Sequence, residues 1–329
     1  MFGASALGAA TYTSFINGKT LTAAWNVELD VPSSSADSPM GGAFVRVWGI
    51  SLAEIGQAAD LASLDKQKKI KIFGGMQRGL PLANPNQAGL IFQGYIFQAY
   101  GNWIGTEMTL DLACQPGDPP RQQTGGSYSG GGTGAYDRPI NLSLNWTKGM
   151  TLGAALENAL KPAFQGYTIT NKTSSKLIFS ENVPHIATTL TGLGQWAKQA
   201  STAIIKDANY RGVKISIFGN EITISDGTTT AATTEKEISF TDLIGQPTWI
   251  EPLVVQVKCV MRSDIKVFET ITLPQTLVNN TANTLSSLVP NQRLAFQGKF
   301  TVLQTRTLGN FRQPDANSWV TIINATPKV

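Results

Sequence analysis

Charge is scarce in this sequence. Lys, Arg, Asp and Glu make up 15% of its 329 residues, against about a quarter in ordinary soluble domains. The formal net charge is +4, an excess too small and too scattered for a nucleic-acid surface. The one basic cluster, Lys66, Lys68, Lys69 and Lys71, fits a solvated strand edge, where lysine discourages unwanted pairing, better than a phosphate site. A single histidine, His185, excludes a histidine-based metal cluster. A Ser-His-Asp triad would have to use it, and there is no GxSxG turn to present a serine. His185 follows Val183-Pro184 and is expected in a loop. The two cysteines, Cys114 and Cys259, fall on the apolar side of alternating segments. They are expected as buried small hydrophobes rather than a disulfide or a nucleophile, which suits a reducing compartment during folding. No apolar run approaches the ~20 residues of a membrane span. No basic residue precedes Lys19, so the charged region of a secretory signal is missing.

Two glycine-rich runs also lack what phosphate binding needs. GASALG at 3–8 is spaced one residue too long, and GGMQRG at 74–79 has no following Lys-Ser or Lys-Thr. Paired carboxylates are the one arrangement left, because a glycosidase needs only two. Glu28 and Asp30 share a strand face, but neighbours two apart are common on any solvated face. The tryptophans are dispersed in core-like positions. No catalytic, cofactor-binding or metal-binding residue is therefore singled out, and no cofactor is expected.

Alternation is what the sequence has in plenty. From Val254 to Met261 the odd positions Val255, Val257, Cys259 and Met261 are all apolar, the mark of a strand with one dry face. Arg262, Ser263 and Asp264 read as a polar turn. Ile265, Val267, Ile271 and Leu273 resume the pattern up to Pro274, so a long hairpin is expected over 246–274. A hairpin cannot bury its apolar face alone, so further strands must complete a barrel or sandwich. Asn17-Gly18 is a turn signal, and Leu21 to Val31 then alternate with polar residues. Strands are expected at Phe44–Trp48, Lys68–Phe73, Leu90–Ala99 and Glu107–Cys114, with a short helix from Ser51 to about Leu61. They form a first β unit, 1–114. The Gly/Pro-rich stretch 115–139 reads as a loop or linker.

Residues 140–237 read as an α+β unit. Thr151 caps a helix whose stripe is Leu152, Ala155, Leu156, Ala159 and Leu160, and a second stripe runs from Leu190 to Ile204. Short strands are expected at Tyr167–Thr170 and Leu177–Phe179, and a hairpin at Val213–Ser225 turns at Gly219-Asn220. Strands at Arg293–Leu308 and Trp319–Asn324 complete a second β unit, 238–329. The fold class is mainly β with an α+β insertion, in two small barrels. Each β unit presents a polar wall rather than a reactive pocket.

FVRVWGISLAEIGQ, IFQGYIFQAYG and EMTLDLAC, in that order, resemble the first barrel of baseplate hub proteins from Mu-like contractile-tailed bacteriophages. The runs from Asp242 to Pro274 and from Phe296 to Pro327 resemble their second. The resemblance covers nearly the whole chain and rests on strand pattern and glycine placement. It implies two tube-type antiparallel β-barrels per chain and a homotrimeric ring that imitates six-fold symmetry. Such a ring adapts the tail tube protein to the central spike protein, among other baseplate proteins. Its lumen passes the tape measure protein and then DNA, without specific binding. The related base of the type VI secretion spike is similar in plan. The implied place is the virion baseplate, assembled in the host bacterial cytoplasm. Where that family has a histidine before the second barrel's Gly-Asn pair, this chain has Leu308. The alternatives carried forward are a tail-associated cell-wall hydrolase and a carbohydrate-binding module.

Overall fold

The computed structural model describes residues 26–33, 41–56, 68–75, 84–117, 141–207, 210–228, 235–274, 298–310 and 317–328. Asn17-Gly18, the start of the first strand, GASALG, most of GGMQRG, Lys66 and nearly all of the 115–139 stretch lie outside these residues.

The chain is mainly β, as the alternation predicts. Among the described residues five strands come first: β1 (Asn26–Pro32), β2 (Ala43–Trp48), β3 (Lys69–Gly74), β4 (Gly89–Ile104) and β5 (Glu107–Pro116). A five-residue helix α1 (Leu52–Gly56) lies between β2 and β3. In β1, Leu29 and Val31 are buried while Glu28 and Asp30 face the other way. The closing strands are β11 (Lys236–Glu237), β12 (Thr248–Glu251), β13 (Val254–Val260), β14 (Thr270–Leu273), β15 (Gly298–Asn310) and β16 (Val320–Pro327).

All of these belong to one sheet of eleven strands. Its main path is β12-β13-β16-β15-β1-β2-β5-β4-β3, with β14 also on β15 and β11 on β14. The hairpin expected over 246–274, turning at Arg262–Asp264, does not form; within that stretch it is β12 that pairs back on β13. β13 pairs with β16, and β14 pairs with β15. Alternation fixes which side chains share a face but not which strand lies alongside.

The two halves of the sheet repeat one plan. β1 to β5 are laid out 1-2-5-4-3, and β12 to β16 as 12-13-16-15-14. Each long strand bulges at the matching point, between Ile96 and Gln98 in β4 and between Val302 and Gln304 in β15. Beside each bulge the same bond recurs: Ile96 N donates to Lys68 O, and Val302 N to Glu269 O, both at 2.9 Å. The halves are joined edge to edge. β1 pairs antiparallel with the C-terminal part of β15, from Glu28 opposite Asn310 to Pro32 opposite Arg306. Ser33 N extends the joint to Thr305 O at 2.8 Å. Gly309 lets the neighbours pack closely there: a Cβ at this position would stand 3.0 Å from both Leu29 and Trp319, whose side chains would have to give by a few tenths of an ångström.

Three apolar cores result among the described residues. One lies under the first half and takes Met261 from the second. One lies under the second half, around Val255, Val257, Cys259, Phe300 and Ile323. There the segment after β11 closes the ring: Ile238 N bonds Thr272 O on one side, and Ile244 N bonds Lys258 O on the other. The third core belongs to the middle elements. These are β6 (Leu142–Trp146), α2 (Leu152–Ala163), β7 (Thr168–Lys172), β8 (Val183–Ala187), α3 (Leu190–Ile204), β9 (Lys214–Phe218) and β10 (Glu221–Ser225). Thr151 caps α2 by accepting from Ala154 N. The β9–β10 hairpin forms as expected and β7 adds to it in parallel. Leu177–Phe179 is not a strand, being reduced to one isolated bridge between Ile178 and Thr151.

Candidate functional site

Two features organise the charged residues: a polar sheet face and a buried node behind it. The face is built by register. Arg46 on β2 lies opposite Glu28 on β1 and Asp111 on β5. Its guanidinium donates Nε to Asp111 Oδ1 at 2.7 Å and Nη2 to Oδ2 at 2.8 Å. Glu28 stands 4.0 Å away on its other side. Asn102 on β4 donates to Asp111 at 3.1 Å, and Asn310 on β15 to Glu28 at 3.3 Å. One row of polar side chains thus crosses β15, β1, β2, β5 and β4. The hydrogen bond to Asp111 raises the Arg46 pKa against the burial that would lower it. Arg306 on β15 forks onto Asp30 of β1 across the joint. Further along, Gln256 donates to Asn324, and Asn324 to Gln304, linking β13, β16 and β15. At the centre of this face the charges are spent on each other, so it is a wall rather than a reactive surface.

The node is at the turn after β13. Arg262 is 3% exposed. Its Nε and Nη2 each donate to Asp264 at 2.9 Å, and Nη1 donates to Glu237 O at 2.8 Å. Nη1 also lies 3.4 Å from Asp242 Oδ2. Its backbone N donates to Thr321 Oγ1, which donates back to its carbonyl. Burial alone would lower its pKa, but the hydrogen bond and charge of Asp264, with Asp242, raise it. The next residue, Ser263, bonds Gln87 O through both N and Oγ. Ser263 therefore ties the second half to the first, while Arg262 gathers Glu237, Asp242, Asp264 and Thr321 of the second half around it. A cavity of about 180 Å³ adjoins the node, between the joint and the β9–β10 hairpin. Arg262, Lys172, Lys266, Glu221 and Glu269 are among its lining residues. Burial raises the Glu269 pKa, and the backbone bond from Lys266 with the charges of Lys236 and Lys266 opposes it.

No family model matches the chain, and no curated protein matches it. Solved structures align along nearly all of it, among them the following three. The E. coli c3393 protein is described as a component of the type VI secretion system with structural similarity to the T4 bacteriophage tail proteins gp27 and gp5. It aligns over 94% of this chain and 76% of its own at 9% identity, with a TM-score of 0.49. The 43 kDa tail protein of prophage MuSo2 from Shewanella oneidensis aligns over 94% and 96% at 9% identity, with a TM-score of 0.47. A tail protein of Neisseria meningitidis MC58 aligns over 92% of each chain at 8% identity, with a TM-score of 0.47. Two of the three are described as tail proteins, and the first as a type VI secretion component with similarity to tail proteins.

The residues weighed from sequence are scattered. Glu28 and Asp30 do share a face, but each is tied to a basic or amide side chain on a neighbouring strand. His185 is not in a loop: it sits on β8 opposite Leu144, stacked on Trp196 at 4.5 Å between ring centroids. Cys114 and Cys259 are free and buried, and burial pushes each thiol up to about 12. Lys69 and Lys71 lie exposed on β3, the terminal strand of the sheet. Among the described residues no group of three or more His, Cys, Asp or Glu is placed to hold a metal ion. No helix among them is long and apolar enough to cross a membrane. The Arg262 node is the feature that sequence reading missed, since Arg-Ser-Asp looks like an ordinary exposed turn. A signal was present: the apolar alternation runs on through Met261 without a glycine or proline to release the chain to solvent.

Proposed function

We propose that this chain is a structural subunit of a phage tail baseplate, a hub protein that forms a homotrimeric, pseudo-hexameric ring. The ring would join the tail tube protein to the central spike protein and enclose the channel for tape measure protein and DNA. Residues 1–114 and 238–329 are the two ring-forming units in this reading, and 140–237 is the intervening unit. The observation that carries it is the repeated five-strand plan joined into one sheet with a continuous polar face. Two like units in each of three chains give six similar positions. A face whose central charges are mutually paired offers a polymer a wettable wall with little to grip. Glu28 and Asp30 are engaged structurally, which favours a non-enzymatic role.

The test is assembly. Sedimentation at micromolar concentration is expected to give a trimer, and negative-stain images a ring with a central opening. A stable monomer counts against the proposal. Release of peptidoglycan fragments that is abolished by Glu28→Gln or Asp30→Asn would replace it with the hydrolase reading.

A further inference from the structure

The joint between the two halves is also a template for a joint between chains. Its partners in the repeat can be read off through the bulges. Gln98 corresponds to Gln304, since each is the first residue paired after the bulge. Asn102 therefore corresponds to Leu308. Asp30 lies opposite Phe44, and Thr248 opposite Gln256; Phe44 and Gln256 in turn pair with Ala113 and Asn324, the partners of Gln98 and Gln304. Thr248 therefore corresponds to Asp30. Inside the chain, Asp30 sits opposite Leu308.

Among the described residues the corresponding edges are both open at the sheet's ends. β12 is the terminal strand on one side. On the other, β3 covers β4 only as far as Tyr95. Beyond Ile96, no strand lies on the outer edge of β4 among the described residues, whereas the same stretch of β15 receives β1. Large apolar side chains are exposed at both edges. Trp103 is 63% and Ile104 78% exposed on β4, and Ile250 is 44% exposed on β12. Apolar groups left in water at a strand edge mark a surface that another chain covers.

We propose that β12 of one copy, with the two residues before it, pairs antiparallel with residues 99–104 of β4 in the next, in the register that sets Thr248 opposite Asn102, repeating the internal β1–β15 joint. This deepens the ring reading and rests on it for the partner, a second copy of this chain. The seam carries the sheet and its polar face unbroken from chain to chain.

Directly opposed residues of an antiparallel pair lie about 4.5–5.5 Å apart at Cα, within the span of a disulfide. Ser33 N bonds Thr305 O, which by alternation makes Asp30 and Leu308, and hence Thr248 and Asn102, a non-hydrogen-bonded pair, the closer kind. Full-length T248C and N102C are mixed, oxidised with diamide and run without reducing agent. The expected result is a covalent dimer from the mixture and none from either variant alone. T248C mixed with W103C, whose side chain points to the opposite face, is expected to give none. If loss of the Asn102–Asp111 bond unfolds N102C, then Y100C with I250C, both exposed positions on the same edges, serves in its place. A trimer that forms no such dimer overturns the seam and leaves the ring reading standing. Equal coupling to W103C also overturns the seam. A monomer without the cross-link overturns both, and cross-linked open chains support the seam against the closed ring.

Discussion

Replacing Arg262 with methionine tests whether the buried node is a charge that must be matched. Methionine keeps much of the side-chain volume, so the change removes charge and donors more than packing. Arg262 is 3% exposed. Its loss leaves Asp264 and Asp242, 13% and 10% exposed at the side chain, without their main cation. Breaking a buried pair by removing one partner costs about 3–5 kcal/mol, because the remaining charge stays desolvated. Lys236, 3.9 Å from Asp264, offsets part of this, so the lower end applies. Arg306→Met is the control. The Arg306–Asp30 pair is 51% and 34% exposed, where such pairs contribute about 0.2–1 kcal/mol. Chemical denaturation followed by tryptophan fluorescence should therefore separate the two variants by about 2 kcal/mol or more. Equal losses, or an Arg262→Met loss below about 1 kcal/mol, would refute the reasoning: the node would then be replaceable packing rather than a charge that must be matched.

Two further outcomes follow from groups whose surroundings shift them. Burial raises the Glu269 pKa above its ordinary 4.5, so the folded state holds this proton more tightly than the unfolded chain. Keeping Glu269 ionised is then a cost at neutral pH that disappears as pH falls below the unfolded value. Glu269→Gln, whose amide oxygen can still accept from Lys266 N, is expected to stabilise the protein at pH 7 and not at pH 4; a denaturation series across that range checks the sign. The thiols of Cys114 and Cys259, pushed up to about 12 from 9.0, have roughly a thousandfold less thiolate than ordinary cysteines at pH 8. A disulfide reagent should label neither until denaturant is added; rapid labelling of the native protein would contradict their burial.

Period-two patterns made most strands and the mainly β class legible, because a strand's inner face must be apolar wherever it lies in the sheet. The helix at Thr151 was legible from its cap and stripe. Pairing was not. β13 finds β16 some sixty residues onward, and nothing in VVQVKCV specifies that neighbour over the nearer β14. Arg262 misled for the same reason. Its partners come from Glu237, Asp242 and Thr321, segments that only the folded sheet brings together. Pro184 before His185 points to a loop, yet a short strand such as β8 tolerates a proline where the missing N–H is not needed.

β15 gives one stretch of its length to β14 and another to β1. Because a single backbone serves both neighbours, a twist applied to either half is transmitted through continuous peptide bonds as well as through a row of hydrogen bonds. To slide the halves apart along the strand direction, that row must break almost all at once, in shear. The pair should therefore move as one stiff plate, and any bending must take place at the sheet's outer margins.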